Sequence, residues 1–203
     1  MLNYLPRYLK LTLITGLLAC ISHLAYAGSQ PPPTLEGVNK FKYKVGATGP
    51  GGGFIFFVDY FDQYRGFTYL EAAPTDASGS SAWCNDDTNS IAGAAGDAAK
   101  AVGRGRANTV AMLGGCSSGA AIKANSYIAP NGKDDWFLPS LGEAMLMYTN
   151  LLQAGVGGVA LDYYWSSTED SGGSAWHQDF FHGGQYYLSK NSTTPRVRAV
   201  RAF

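Results

Sequence analysis

The chain has 203 residues and a formal net charge of zero, with 15% charged residues, 26 glycines and 13% aromatics. That length holds one domain, or one domain with a tail. Sparse charge with abundant Gly and aromatics suits a loop-rich extracellular domain and excludes a disordered tail. With no basic excess, no nucleic-acid partner is expected.

At the N-terminus, Arg7 and Lys10 precede the apolar run Leu11 to Ile21, and Ala25-Tyr26-Ala27 follows as a small-x-small cleavage site. Residues 1–27 therefore read as a signal peptide cleaved before Gly28. Leu17-Leu18-Ala19-Cys20 supports a second reading, a bacterial lipobox with Cys20 lipidated. Contact with a membrane is expected only in that case. An uncleaved anchor is disfavoured, because the run is short for a span and Ser22 and His23 follow it. Residues 28–40 hold Pro31-Pro32-Pro33 and read as an extended linker. Residues 41–203 are the expected domain.

Phe54 to Val58 is a continuous apolar, β-prone run after Gly51-Gly52-Gly53, and it reads as a buried strand. Gly66 to Ala73 reads as its hairpin partner. The three glycines are not a phosphate loop, since no Lys-Ser/Thr follows. Ala107 to Leu113 and Ser118 to Tyr127 read as short helices. Ser140 and Glu143 form a capping box, and Leu141 to Leu152 then carries apolar residues at helical spacing, with Met145 and Met147 as core filler. Tyr163 to Ser167 is β-prone. Ala175 to Phe181 and Gly184 to Lys190 read as a hairpin turning at His182-Gly183-Gly184. Arg196 to Phe203 reads as a last strand. Arg196 and Arg198 would share one face; Arg201, on the other, would pair with Glu143 or Glu169, or all three would be solvated. Trp136, Leu138, Trp165 and Trp176 are expected in the core.

Either cleavage leaves Cys84 and Cys116 as the only thiols able to pair. In an oxidising compartment such cysteines usually form a disulfide; two buried free thiols are the other reading. Neither has a Cys or His at ligand spacing, so no metal site is expected, and no cofactor.

The tail from Tyr163 onward interleaves two sets of residues. One resembles a framework: Trp165 to Glu169, Ala175, Trp176, Gln178, Phe180, Gln185, Lys190 and Arg196 to Phe203. The other, rich in Tyr, Ser, Gly, Asp and His, has the chemistry of adaptable binding surfaces. Within it His177, Asp179, Phe181, His182, Tyr186, Tyr187, Ser189 and Asn191 are the candidate ligand-binding residues. No residue is assigned a catalytic role. Both histidines lie in this filler and lack a nucleophile motif.

The order of motifs resembles a known family. Val45 to Val58 looks like its opening G-x-T-G-P-x-G-G strand, and Gly105-Arg106-Ala107-Asn108-Thr109 like its G-x-x-N-T helix start. Gly132 to Ser140 resembles its G-x-x-D-W-x-L-P-S signature. Tyr164 to Glu169 and Arg196 to Arg201 resemble its closing motifs. The family is the C-terminal domain of collagen-like bacterial adhesins, in the C-type lectin-like superfamily and the branch shared with formylglycine-generating enzyme. The resemblance implies an α+β, C-type lectin-like fold: small antiparallel sheets, two or three helices and long loops. No collagen repeat is present.

The tail also resembles the variable proteins of diversity-generating retroelements, whose C-terminal domain is rewritten at Asn codons. Every filler type is reachable from an Asn codon by changing its adenines. Glu, Gln, Lys, Met and Trp are not, and in this tail they occur only in the framework. A plain Ser/Gly/Tyr-rich surface is the alternative.

These resemblances imply a secreted or surface-displayed, adhesin-like binding protein whose partner is a cell-surface protein or glycan. The calcium-dependent sugar motif of lectins is missing; Trp83-Cys84-Asn85-Asp86 only echoes it. An enzyme of the formylglycine-generating type would need a reactive cysteine late in the domain, and none follows Cys116. A surface protein with no specific ligand is the remaining alternative.

Overall fold

The run Phe54–Val58 forms strand β1, with Ile55 and Phe56 fully buried. It pairs antiparallel with β2 (Tyr69–Ala72), as its apolar pattern predicts. The computed structural model describes residues 41–77 and 79–203, all within one compact unit, Leu35–Phe203. The expected signal peptide, its Cys20 alternative and the Pro-rich linker lie outside the described residues.

Helices α1 (Asp97–Lys100), α2 (Gly105–Gly115), α3 (Ala120–Asn125) and α4 (Leu141–Met147) follow, the last continuing into a π-helical turn, Tyr148–Leu152. Strands β3 (Tyr163–Glu169), β4 (Ser174–Asp179) and β5 (Gln185–Ser189) come next, then β6 (Val200–Ala202). Small antiparallel sheets with short helices make this an α+β architecture. One sheet has the order β1-β2-β6, the other β3-β4-β5.

The capping box forms as predicted. Glu143 N donates to Ser140 Oγ at 3.2 Å, and Ser140 N donates to Glu143 Oε2 at 2.9 Å. Glu143 Oε1 also accepts the N–H of Gly103 at 2.9 Å, which ties the approach to α2 onto the start of α4. Burial pushes the Glu143 carboxyl up to about 7, against backbone donors that favour its ionised form. Met147 is fully buried, as core filler should be, whereas Met145 is only half-buried.

Two apolar clusters fill the interior. Trp83, Met112, Trp136, Leu138 and Trp165 centre one; Phe56, Leu70, Met147, Tyr164 and Phe180 centre the other. Trp136, Leu138 and Trp165 are thus core, as expected. Cys84 and Cys116 form a disulfide with Cα atoms 5.4 Å apart, joining the Trp83 loop to the residue that ends α2.

The last segment departs from expectation. Only Val200–Ala202 is strand, because the residues before it serve both sheets. The Arg196 carbonyl accepts the Trp165 N–H of β3 at 3.0 Å, while the Val197 and Ala199 carbonyls accept the N–H groups of Ala77 and Ala73 at 2.9 Å. Arg201 pairs with neither Glu143 nor Glu169. It reaches Glu71 at 3.2 Å and Asp135 at 2.7 and 2.9 Å, because β6 lies beside β2. Glu143 is occupied by backbone N–H groups and Glu169 by Lys190. Arg196 and Arg198 both reach Asp76, Arg196 from an exposed position and Arg198 from a buried one.

Candidate ligand-contact surface on the terminal hairpin

The turn between β4 and β5 is built around Asp179. Its Oδ1 accepts the N–H of Phe181 at 2.7 Å and of His182 at 3.2 Å, and its Oδ2 lies 3.0 Å from His182 Nδ1. Burial pushes the Asp179 carboxyl up, but the hydrogen bonds from His182 and these two N–H groups outweigh it and hold the group below its ordinary value. Asp179 is 4% exposed, so its work is to shape the turn. Gly183 closes the turn at φ +81°, and a Cβ there would come within 2.6 Å of the Tyr148 ring, so the position needs glycine on both counts.

Framework residues clamp this hairpin to the body. Gln178 is fully buried and donates to the Gly184 carbonyl at 3.0 Å. Gln185 donates to the Leu141 carbonyl at 3.1 Å and to Gln178 at 3.1 Å. Phe180 packs on Tyr164 and Tyr148 with ring centroids 4.6 and 5.6 Å away. At the far end of β5, Lys190 forms a fully buried ion pair with Glu169 and donates to the Asn89 carbonyl at 2.8 Å.

The exposed side chains fall on two faces. On one, Phe181 and Tyr186 are 49% and 55% exposed, and His182 lies beside Phe181. Tyr163 joins them, with its ring centroid 5.6 Å from that of Phe181. On the other, Tyr187 is 60% exposed and meets Trp176 edge-on at 5.6 Å. The Lys100 ammonium lies 4.7 Å over the Trp176 ring and 3.0 Å from Asp97. Ser189 and Asn191 are exposed but stand apart at the other end of β5, where Asn191 donates to Asp87 at 2.8 Å.

Three expectations change here. His177 is 3% exposed and Asp179 buried, so neither offers its side chain to a ligand. Trp176, expected in the core, is half-buried on the face it shares with Tyr187. The cause is the place of β4 at the centre of its sheet. Strand alternation separates the two faces but leaves neither fully solvated, since neighbouring strands and helices cover parts of both. His177 sits among the rings of Tyr163, Trp165 and Tyr186, with centroids 5.2, 6.2 and 6.2 Å away. Its Nδ1 is buried without a hydrogen-bond partner among the described residues. Burial holds this imidazole below its ordinary value, opposed by the Asp179 charge.

Sequence reasoning missed Tyr163 and Lys100 as members of the surface. Tyr163 stands on β3, outside the predicted hairpin, and joins the surface because β3 pairs with β4 in a register that sets it opposite Asp179; α1 carries no sequence signal that would set Lys100 against Trp176. Among the described residues, no group of three or more His, Cys, Asp or Glu side chains is placed to hold a metal ion, and no helix is long and apolar enough to cross a membrane. Compared with protein-family models and with curated proteins, the sequence matches none.

Proposed function

We propose that this chain is a secreted or surface-displayed binding protein with a C-type lectin-like domain, and that the terminal hairpin is its contact surface. One observation carries the reading. The residues that a diversifying mechanism could rewrite are largely the exposed ones, and those it could not rewrite are largely the buried ones. Phe181, His182, Tyr186, Tyr187, Ser189 and Asn191 are exposed, while Gln178, Lys190, Glu169 and Trp165 are at most 1% exposed. The exceptions are His177, Asp179 and Pro195, which are rewritable yet buried, and Trp176 and Gln185, which are not rewritable yet only half-buried. Tyr and Phe supply rigid contact area at small entropic cost, and binding through such residues needs no chemistry. The formylglycine-generating alternative is disfavoured, because the two cysteines of the domain are joined to each other.

The test is a library at Phe181, His182, Tyr186, Tyr187, Ser189 and Asn191, scored for protease resistance and for binding to candidate cell-surface proteins and glycans. Most members should fold and differ in what they bind. A majority that fails to fold would show these positions to be structural. In the DNA, a reverse transcriptase and a near-repeat of the 3′ end beside this gene would carry the diversified-receptor reading, and their absence would leave a fixed adhesin-like binder. Mass spectrometry of the exported protein is expected to find Gly28 at its N-terminus; a lipid-modified Cys20 would place the protein on a membrane.

A further inference from the structure

We propose that the ligand is a protein, captured by adding an extended segment to the open edge of β5. The inference rests on the hairpin being the contact surface and names the mode of contact.

The hydrogen-bond ladder decides which way the β5 backbone faces. Lys190 N donates to the Gly173 carbonyl at 3.0 Å, and Asp179 N to the Gly184 carbonyl at 2.9 Å. Between those two pairs the register is unbroken, with Ala175 opposite Leu188 and His177 opposite Tyr186. In an antiparallel ladder hydrogen-bonded and non-hydrogen-bonded pairs alternate. Gly184, Tyr186, Leu188 and Lys190 therefore turn their backbone groups toward β4. Gln185, Tyr187 and Ser189 turn theirs outward. The Ser189 carbonyl is taken by Ser192 N at 2.9 Å. The N–H and C=O of Gln185 and of Tyr187 have no partner among the described residues.

The two edges of the sheet are treated differently. Along β3, Trp165 N donates to Arg196, Ser167 N to Pro139 and Glu169 N to Ala94, at 3.0, 2.7 and 2.7 Å. Three separate segments thus cover that edge. On β5 none of the described residues does so. Edge strands are ordinarily protected by charge, proline or a bulge, and Gln185-Tyr186-Tyr187-Leu188-Ser189 has no charge and no proline, and its register with β4 shows no bulge. Tyr186 and Tyr187 stand on opposite faces of this edge, each more than half exposed. A strand laid along β5 would pass between the two rings and bury part of each.

This geometry selects the ligand class. Outward donors and acceptors that recur at strand spacing are matched by another extended polypeptide backbone, which is how peptides add to sheet edges. Side chains at alternate positions of the added strand would meet Tyr186 on one face and Tyr187 on the other, so changing these two residues changes specificity while the backbone contact persists.

The probe is a displayed library of linear twelve-residue peptides, panned on the full chain, with a glycan array run in parallel. Selected peptides should slow amide hydrogen exchange at Gln185 and Tyr187. Tyr187→Pro removes one outward N–H without touching the β4 ladder, and it should weaken binding at least about tenfold. Tyr187→Ala keeps that N–H and should retain the amide protection, while Leu188→Pro breaks the ladder and serves as the unfolding control. Should Tyr187→Pro fail to fold, exchange in the unsubstituted chain still decides. Peptides or glycans that depend on the Tyr186 and Tyr187 rings but leave both amides unprotected would overturn strand addition and keep the hairpin as the surface. Slow Tyr187 exchange in the chain alone, or a dimer abolished by Tyr187→Pro, would show the edge already occupied and overturn it too. If no binding of any probe depends on the hairpin, both readings fail.

Discussion

Lys190 and Glu169 carry opposite charges with no solvent exposure, and their value is conditional on each other. The carboxylate also accepts the Ile91 N–H, and the ammonium lies 5.1 Å over the Trp83 ring. Removing one partner strands the other charge in the interior. Lys190→Met should cost about 3–5 kcal/mol in urea unfolding, and adding Glu169→Leu should recover much of it. A single-variant loss below about 1 kcal/mol would mean that water reaches the pair. His177 makes the second residue-scale prediction. Its folded pKa lies below the ordinary value of about 6.5. As pH falls through that value the unfolded chain binds a proton that the folded chain refuses, so stability drops. Above about pH 7 the ring is neutral in both states and contributes nothing. Glu143, raised to about 7, contributes in the opposite sense over the same range, so the expected outcome is a difference: on acidification from pH 7 to 5, His177→Phe should lose less stability, or gain more, than the parent, read from unfolding midpoints. Parallel curves would show that the imidazole ionises as readily folded as unfolded.

Among the elements, the Trp83 loop is the one most dependent on a covalent tie. It has little regular structure between β2 and α1, yet Trp83 and Cys84 are core. The disulfide closes a sequence separation of 32 residues, worth about 3–4 kcal/mol in the chain-entropy model. A Cys84→Ala/Cys116→Ala variant should lose that amount in urea unfolding, and reductant should lower the parent's midpoint without altering the variant's. Strand β1 has a different dependence, on the glycines before it. A Cβ at Gly53 would lie 1.9 Å from the Ala72 carbonyl oxygen, because β2 runs directly against the turn. At Gly52 φ is +81° and nothing lies within 4 Å. Gly53→Ala should thus cost more than about 3 kcal/mol by overpacking, and Gly52→Ala about 1 kcal/mol by backbone strain. Thermal melts of the two variants check the order, which equal losses would contradict.

At the scale of the whole molecule, the motif-bearing segments meet. Glu71 accepts the N–H groups of Gly51 and Gly53 at 2.9 and 2.7 Å and the Arg201 guanidinium at 3.2 Å, while Arg201 holds Asp135. The opening glycines, the Asp135-Trp136 segment and Arg201 of the closing motif are thereby one network. Truncation of Trp136, 1% exposed beneath Arg201, should cost about 3–5 kcal/mol; an unchanged melting temperature for Trp136→Ala would place its ring outside the core.

What the sequence determined by itself was local. The apolar run of β1, the Ser140–Glu143 box, the turn at Gly183 and the two residue classes of the tail all depend on residues close in sequence or on composition. Tertiary structure decided which side chains of the filler reach solvent, and whom the arginines meet. Alternation along β4 is readable from a strand, but exposure depends on the layers that cover each face, and β4 is the central strand of its sheet. That buried His177 and Asp179 and left Trp176 half-exposed. The partner of Arg201 lies 130 residues away on Glu71, brought beside it by the pairing of β6 with β2, a juxtaposition no local pattern encodes.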